Sequence, residues 1–125
     1  MSPDMSRQDE KIHLHAIELY DKLIEMHPVI ERKGNTLPYT SIHGHMFSFV
    51  SKEGEVGLRL PLSDCEDFIK RFKTTPMEQY GRKMKEYVVV PLKLLSDPLK
   101  LMPYLQKSFE YVSAMKPKPS KSLAK

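Results

Sequence analysis

The chain contains a single cysteine, Cys65, in 125 residues. One thiol cannot cross-link a fold to itself, so a disulfide scaffold is excluded and a reducing, cytoplasmic setting is expected. Long apolar runs are also missing. None approaches the ~20 residues needed to cross a bilayer, so no membrane partner is expected. The opening stretch from Met1 to Glu10 is polar and acidic, which argues against a secretion signal. Catalytic signatures are missing too: there is no glycine-rich phosphate loop, no Gly-x-Ser-x-Gly elbow and no His-Glu-x-x-His helix. The sequence leans away from an enzyme, and no cofactor is expected.

Acidic residues are absent from the C-terminal run. Of the 20 Lys/Arg, Lys116, Lys118, Lys121 and Lys125 follow Met115, while all 16 Asp/Glu precede it. The body therefore carries 16 charges of each sign, and the formal +4 belongs to the tail. A basic isoelectric point of that origin does not mark the body as a nucleic-acid binder. Residues 117–125 offer only Leu123 and Ala124 for burial. That is too little to offset about 1–2 kcal/mol of backbone ordering per residue, so a disordered basic tail is expected after one domain over 1–116.

What is present reads as an ordinary globular domain, 40% hydrophobic and 29% charged. A helix is predicted from Ser6, three residues before Asp9 as in a capping box, with Ile12, Ala16, Leu19, Leu23 and Met26 at helical spacing and Tyr20 and Ile24 widening the stripe. His27-Pro28 ends it. The period then changes to two. Met46 to Leu60 predicts two strands joined at Lys52-Glu53-Gly54, with Phe47 and Phe49 on one side of the first and Ser48 on the other. Leu37 to Ile42 is a candidate edge strand, since proline is tolerated there. A second helix is predicted from Ser63 with Glu66 completing a capping box, burying Phe68, Ile69 and Phe72. Tyr87 to Val90 predicts a buried strand. Asp97-Pro98 opens a last helix through Leu101, Leu105, Phe109, Val112 and Met115, with a restart expected near Pro103. This order predicts a two-layer α+β fold with an antiparallel sheet.

Two stretches resemble a known family. His43-Gly44-His45-Met46-Phe47-Ser48-Phe49 resembles the Met-Phe-Gly region that opens the sheet in domains similar to the N-terminal domain of TfoX. Gly81-Arg82-Lys83-Met84-Lys85-Glu86-Tyr87-Val88-Val89-Val90-Pro91 is similar to the Gly-Arg-x-Met-Lys-Glu-Trp-Val-x-Val-Pro signature of that group. Ser48 replaces the family glycine, and Tyr87 its tryptophan. The resemblance covers roughly Tyr20 to Lys118. It implies an α-β(3)-α-β(2)-α order in a stand-alone domain without the second domain of full-length TfoX regulators, and it brings no catalytic residues.

Candidate chemistry is sparse. His43 and His45 project to one side if the strand is extended, so two neutral imidazoles can share a metal ion. Asp64, Glu86 and Glu53 are open choices for a third ligand. Gly44 equally suits a turn that points the rings apart. His13 and His15 face opposite sides of a helix and cannot chelate together. Cys65 falls in a first helical turn, where the dipole favours a thiolate, but Asp64, Glu66 and Asp67 oppose it. Lys70, Arg71, Lys73, Arg82, Lys83 and Lys85 form one basic cluster, a candidate contact for nucleic acid or phosphate. Phe72 and Tyr80 stand among them as stacking residues, although periodicity puts Phe72 in the core, and Glu78 and Glu86 dilute the charge.

The leading expectation is a non-enzymatic protein-interaction or regulatory-accessory module, self-associating through a sheet face that leaves Ser48 and Arg59 for a partner. The alternatives are a weak nucleic-acid-binding accessory protein using the tail and the Lys70–Lys85 cluster, and a metal-binding protein or enzyme using His43 and His45.

Overall fold

A computed structural model describes the backbone of residues 3–117 and their side chains apart from residues 3–10, 12 and 13. The side chain of His13 and the tail beyond Pro117 lie outside the described residues, whereas the cap predicted at Ser6 is corrected: the backbone is already helical from Pro3, which puts Ser6 inside the helix. Helix α1 spans Pro3–Glu25 and is followed by strands β1 (Tyr39–Ile42), β2 (His45–Val50) and β3 (Val56–Arg59). Helix α2 (Leu62–Phe72) leads to the hairpin β4 (Pro76–Gln79) and β5 (Arg82–Val90), then α3 (Leu92–Leu95) and α4 (Pro98–Ser113). The strands form one sheet in the order β1-β2-β3-β5-β4, every neighbouring pair antiparallel. This is the expected α+β arrangement, with α3 as an addition.

The helices share one face of the sheet. Ala16, Tyr20, Leu23 and Ile24 of α1, Phe68 of α2, Leu94 and Leu95 of α3, and Leu101, Leu105 and Val112 of α4 join Val50, Leu58, Val88 and Val90 in the main core. A smaller cluster of Phe49, Met77 and Tyr87, flanked by Tyr39, Met46, Met84 and Val89, contains strand residues only. It lies on the face without helices.

A bulge decides which residues reach which side. Thr40 pairs with Ser48 and Ser41 with Met46, so Phe47 is an extra residue in β2. Phe47 and Ser48 consequently both face the helices: the Phe47 ring centroid is 6.0 Å from that of Phe109, and the Ser48 hydroxyl is 2.6 Å from that of Tyr20. Phe49 then falls on the opposite face, against Tyr87. The expectation that Phe47 and Phe49 share a side is corrected by this insertion, which period-two counting cannot register.

Other boundaries move for local reasons. Helix α2 begins at Leu62 after Pro61, without a side-chain cap from Ser63. It ends at Phe72, with Lys73 in the left-handed conformation donating its N–H to the Ile69 carbonyl. Pro103 does not interrupt α4. Both Pro103 and Leu99 are exposed, so water can serve the Leu99 carbonyl that proline leaves without a donor. Met26 is 46% exposed because α1 ends just before it.

Candidate functional site

The helix-free face opens into a cleft of about 470 Å³. Tyr39 and Met46 are half-buried there beside buried Phe49, between the Ser51–Glu55 turn and the tip of the β4–β5 hairpin. That tip is a two-residue turn in which Tyr80 and Gly81 both have positive φ, 54° and 76°. Such a turn matches the twist of the flanking strands. It leaves Tyr80 93% exposed at the cleft mouth.

The hairpin is irregular in a useful way. Pro76 pairs with Val88 but Glu78 with Lys83, so β5 holds excess residues over this stretch. Glu86, inside it, has φ 68°, an uncommon conformation for a residue with a Cβ. The distortion carries Met77 into full burial and brings the Tyr87 hydroxyl to the Met46 carbonyl, to which it donates at 2.5 Å. Burial pushes the Tyr87 hydroxyl up to about 12, so it stays a donor across the ordinary pH range. Around this apolar base, the exposed Glu53, Glu55 and Glu78 face a single cation, Lys52. The cleft is apolar inside and acidic at its rim, and the sequence points to Glu53 and Tyr80 only in other roles and not to the cleft they line. Alternation in β2 and the Lys52–Gly54 turn were visible signals, but the bulge concealed which face they serve.

The basic cluster predicted from sequence does not converge as a unit. Arg71 and Lys73 line a second hollow with Lys93, Lys100 and Asp97, beside Phe72, whereas Arg82, Lys83 and Lys85 are exposed on β5. Lys70 is exposed on α2. Phe72 is half-buried, packed at the margin of the core, and Tyr80 is far more exposed than a core residue. Lys93 and Lys100 were missed because 20–30 residues of chain part them from Arg71, and only the fold brings them together.

The histidines are placed apart in role. His43 and Gly44 form the β1–β2 turn at φ 55° and 83°. His45 donates from Nε2 to the Lys116 carbonyl at 2.7 Å, tying the start of β2 to the chain beyond α4. The carboxylates considered as third ligands are engaged or remote: Asp64 pairs with Lys107, Glu86 with Arg59, and Glu53 lies at the cleft. Among the described residues no group of three or more His, Cys, Asp or Glu is disposed to hold a metal ion. His15 is exposed and faces Glu18 at 3.9 Å.

The residues expected on an open face are occupied elsewhere. Ser48 is buried under α1, and the Arg59 guanidinium donates to Glu86 Oε1 at 2.8 and 3.0 Å while lying over the Tyr111 ring. The Tyr111 hydroxyl donates to the other oxygen of Glu86. Burial raises the Glu86 pKa, but these two donors outweigh it and hold the carboxyl below its ordinary value. Cys65 is buried and donates to the Leu60 carbonyl at 3.3 Å. Burial pushes its thiol up to about 11, with the Glu86, Asp64 and Glu66 carboxylates adding to the rise, so the helix terminus does not yield a thiolate. Among the described residues no helix is long and apolar enough to cross a membrane. Compared with protein-family models and with curated protein sequences, the chain matches none.

Proposed function

We propose that the protein is a non-enzymatic interaction module that self-associates, one copy's basic C-terminal run docking in the acidic cleft of another. The observation that carries this reading is the cleft itself. Tyr39, Met46 and Phe49 offer apolar contact, while Glu53, Glu55 and Glu78 outnumber Lys52 at the rim. An occupant must therefore be extended, basic and modestly apolar. The run Lys118-Pro119-Ser120-Lys121-Ser122-Leu123-Ala124-Lys125 has that chemistry and no carboxylate side chain. Its span, at ~3.3 Å per extended residue, is long enough to cross a cleft of this size. The two resembling stretches also support a TfoX N-terminal-like assignment: His43–Phe49 supplies the turn and most of strand β2 in the first hairpin, and Gly81–Pro91 the long strand of the second.

Rim ion pairs are individually weak, about 0–1 kcal/mol each, so the association is weak and salt-sensitive. Sedimentation of the full chain at low salt should show mass rising with concentration. The rise should vanish on deleting residues 118–125 and in the double variant Glu53→Lys, Glu55→Lys. Monomer at every concentration, or association indifferent to both changes, would overturn the proposal.

A further inference from the structure

We propose that the hollow between the end of α2 and the α3–α4 corner is a binding site for a small phosphorylated molecule bearing a phosphomonoester or diphosphate group. Arg71 from α2, Lys73 from its cap, Lys93 from α3 and Lys100 from α4 line a cavity of about 300 Å³. Asp97 is the single carboxylate among its lining residues. None of these cations takes part in a salt bridge among the described residues. Like charges gathered around a half-enclosed hollow repel one another through a medium less polarisable than water, and a multivalent oxyanion relieves that repulsion.

Two of the cations are also held in place. The Arg71 guanidinium carbon and Lys100 Nζ lie 5.8 and 5.9 Å from the centroid of the same Phe72 ring. That ring is fixed by edge contact with Tyr104, centroids 5.4 Å apart at 85°. The Lys73 backbone is set by its left-handed cap geometry. An arginine fork with lysine point charges around it is the chemistry that takes phosphate oxygens.

The surroundings favour a small ligand over a nucleic-acid strand. Asp64 and Asp67 line the adjoining hollow with Arg71 and Lys107, so the excess of positive charge ends just outside the site. Arg82, Lys83 and Lys85 are not among its lining residues and do not extend it into a track. A polyanion needs a continuous basic stripe, and among the residues that line this hollow and its neighbour the cations are interrupted by Asp97, Asp64 and Asp67.

Titration of the full chain with inorganic pyrophosphate, followed by backbone amide NMR at matched ionic strength, tests this. Saturable shifts should centre on Arg71, Lys73, Lys93 and Lys100. Lys93→Gln and Lys100→Gln, both at exposed positions, should each weaken binding by about ten-fold or more. No saturable shift, shifts centred on Arg82 to Lys85, or affinity unchanged in both variants would overturn the site. A parallel titration with a single-stranded oligonucleotide separates the sources. Oligonucleotide binding that is tighter than pyrophosphate and survives both substitutions would also overturn it, whereas binding displaced by pyrophosphate and lost in the variants supports it.

Discussion

The hydroxyl of Tyr20 lies 2.6 Å from that of Ser48, across 28 residues of chain, and Ser48 in turn meets the Thr40 hydroxyl at 2.5 Å. All three side chains are buried, so α1, β1 and β2 are joined by a short polar relay inside an apolar core. Burial pushes the Tyr20 hydroxyl well above its ordinary value, keeping it neutral and able to donate. Tyr20→Phe should cost about 1–3 kcal/mol, the penalty of a buried polar group left short of a partner. Urea unfolding of Tyr20→Phe, Ser48→Ala and the double variant should give a coupling of about 0.5 kcal/mol or more. Strict additivity would show that the relay is not energetically linked.

Gly57 pairs with Phe49 across β2 and β3. A Cβ there would stand 2.7 Å from Phe49 Cε1 and 3.3 Å from Met77 Cγ. The ring has little room to retreat, since it packs edge-on against Tyr87 beside fully buried Met77. Gly57→Ala is expected to destabilise by about 1–3 kcal/mol through overpacking. The loss should shrink in a Phe49→Leu background; thermal unfolding of the pair decides.

His27 is a structural residue that terminates α1. Its Nδ1 accepts the N–H groups of Val29 and Ile30 at 3.1 Å, while Nε2–H donates to Gln106 Oε1 at 2.6 Å. The tautomer is thereby fixed, and the loop is anchored to α4. His27→Ala leaves the buried Ile30 amide without its acceptor, at a cost of about 1–3 kcal/mol before the packing loss against Phe109 is added. Amide hydrogen exchange should accelerate at Val29 and Ile30 ahead of the sheet. Unchanged protection at both would refute the anchoring role.

The Glu86 carboxyl is held below its ordinary value in the fold, so the unfolded chain takes up its proton at higher pH. Its contribution to stability is complete above the unfolded value and is lost as pH falls through the folded one. Glu86→Gln should therefore be less stable than the parent at neutral pH, with the gap closing on acidification below the ordinary value of 4.5. Chemical denaturation at a series of pH values measures the gap. A gap that widens toward acid would contradict the assigned partners, Arg59 and Tyr111.

With its thiol pushed up to about 11 by burial, Cys65 should resist modification in the folded state. Labelling by a disulfide reagent near pH 8 should track the unfolding rate as urea is raised. Rapid labelling of native protein would show that the site is open.

Much of the α+β order was legible, because hydrophobic periodicity reports burial directly: Ala16, Tyr20, Leu23 and Ile24 are the face that α1 buries, and Val88 and Val90 the face that β5 buries. The signal failed where one residue was inserted. Phe47 and Ser48 look alternate in sequence yet share a face. Lys70 to Lys85 looked like one cluster because the residues are near in sequence, but the β4–β5 hairpin carries Arg82, Lys83 and Lys85 away from the hollow at Arg71.

By itself, the sequence determined the element types, the neutrality of the body, the concentration of positive charge after Met115 and the lack of known catalytic motifs. These are properties of local composition and spacing, which chain order preserves. The tertiary structure alone decided that Ser48 is core and Tyr80 is surface, that His43 is a turn residue, and that Lys93 and Lys100 join Arg71 and Lys73. Such facts depend on strand register and on the packing of distant helices. Both are set by the burial free energy of the whole core acting together with local bulges and turns, which a residue's neighbours in sequence do not reveal by themselves.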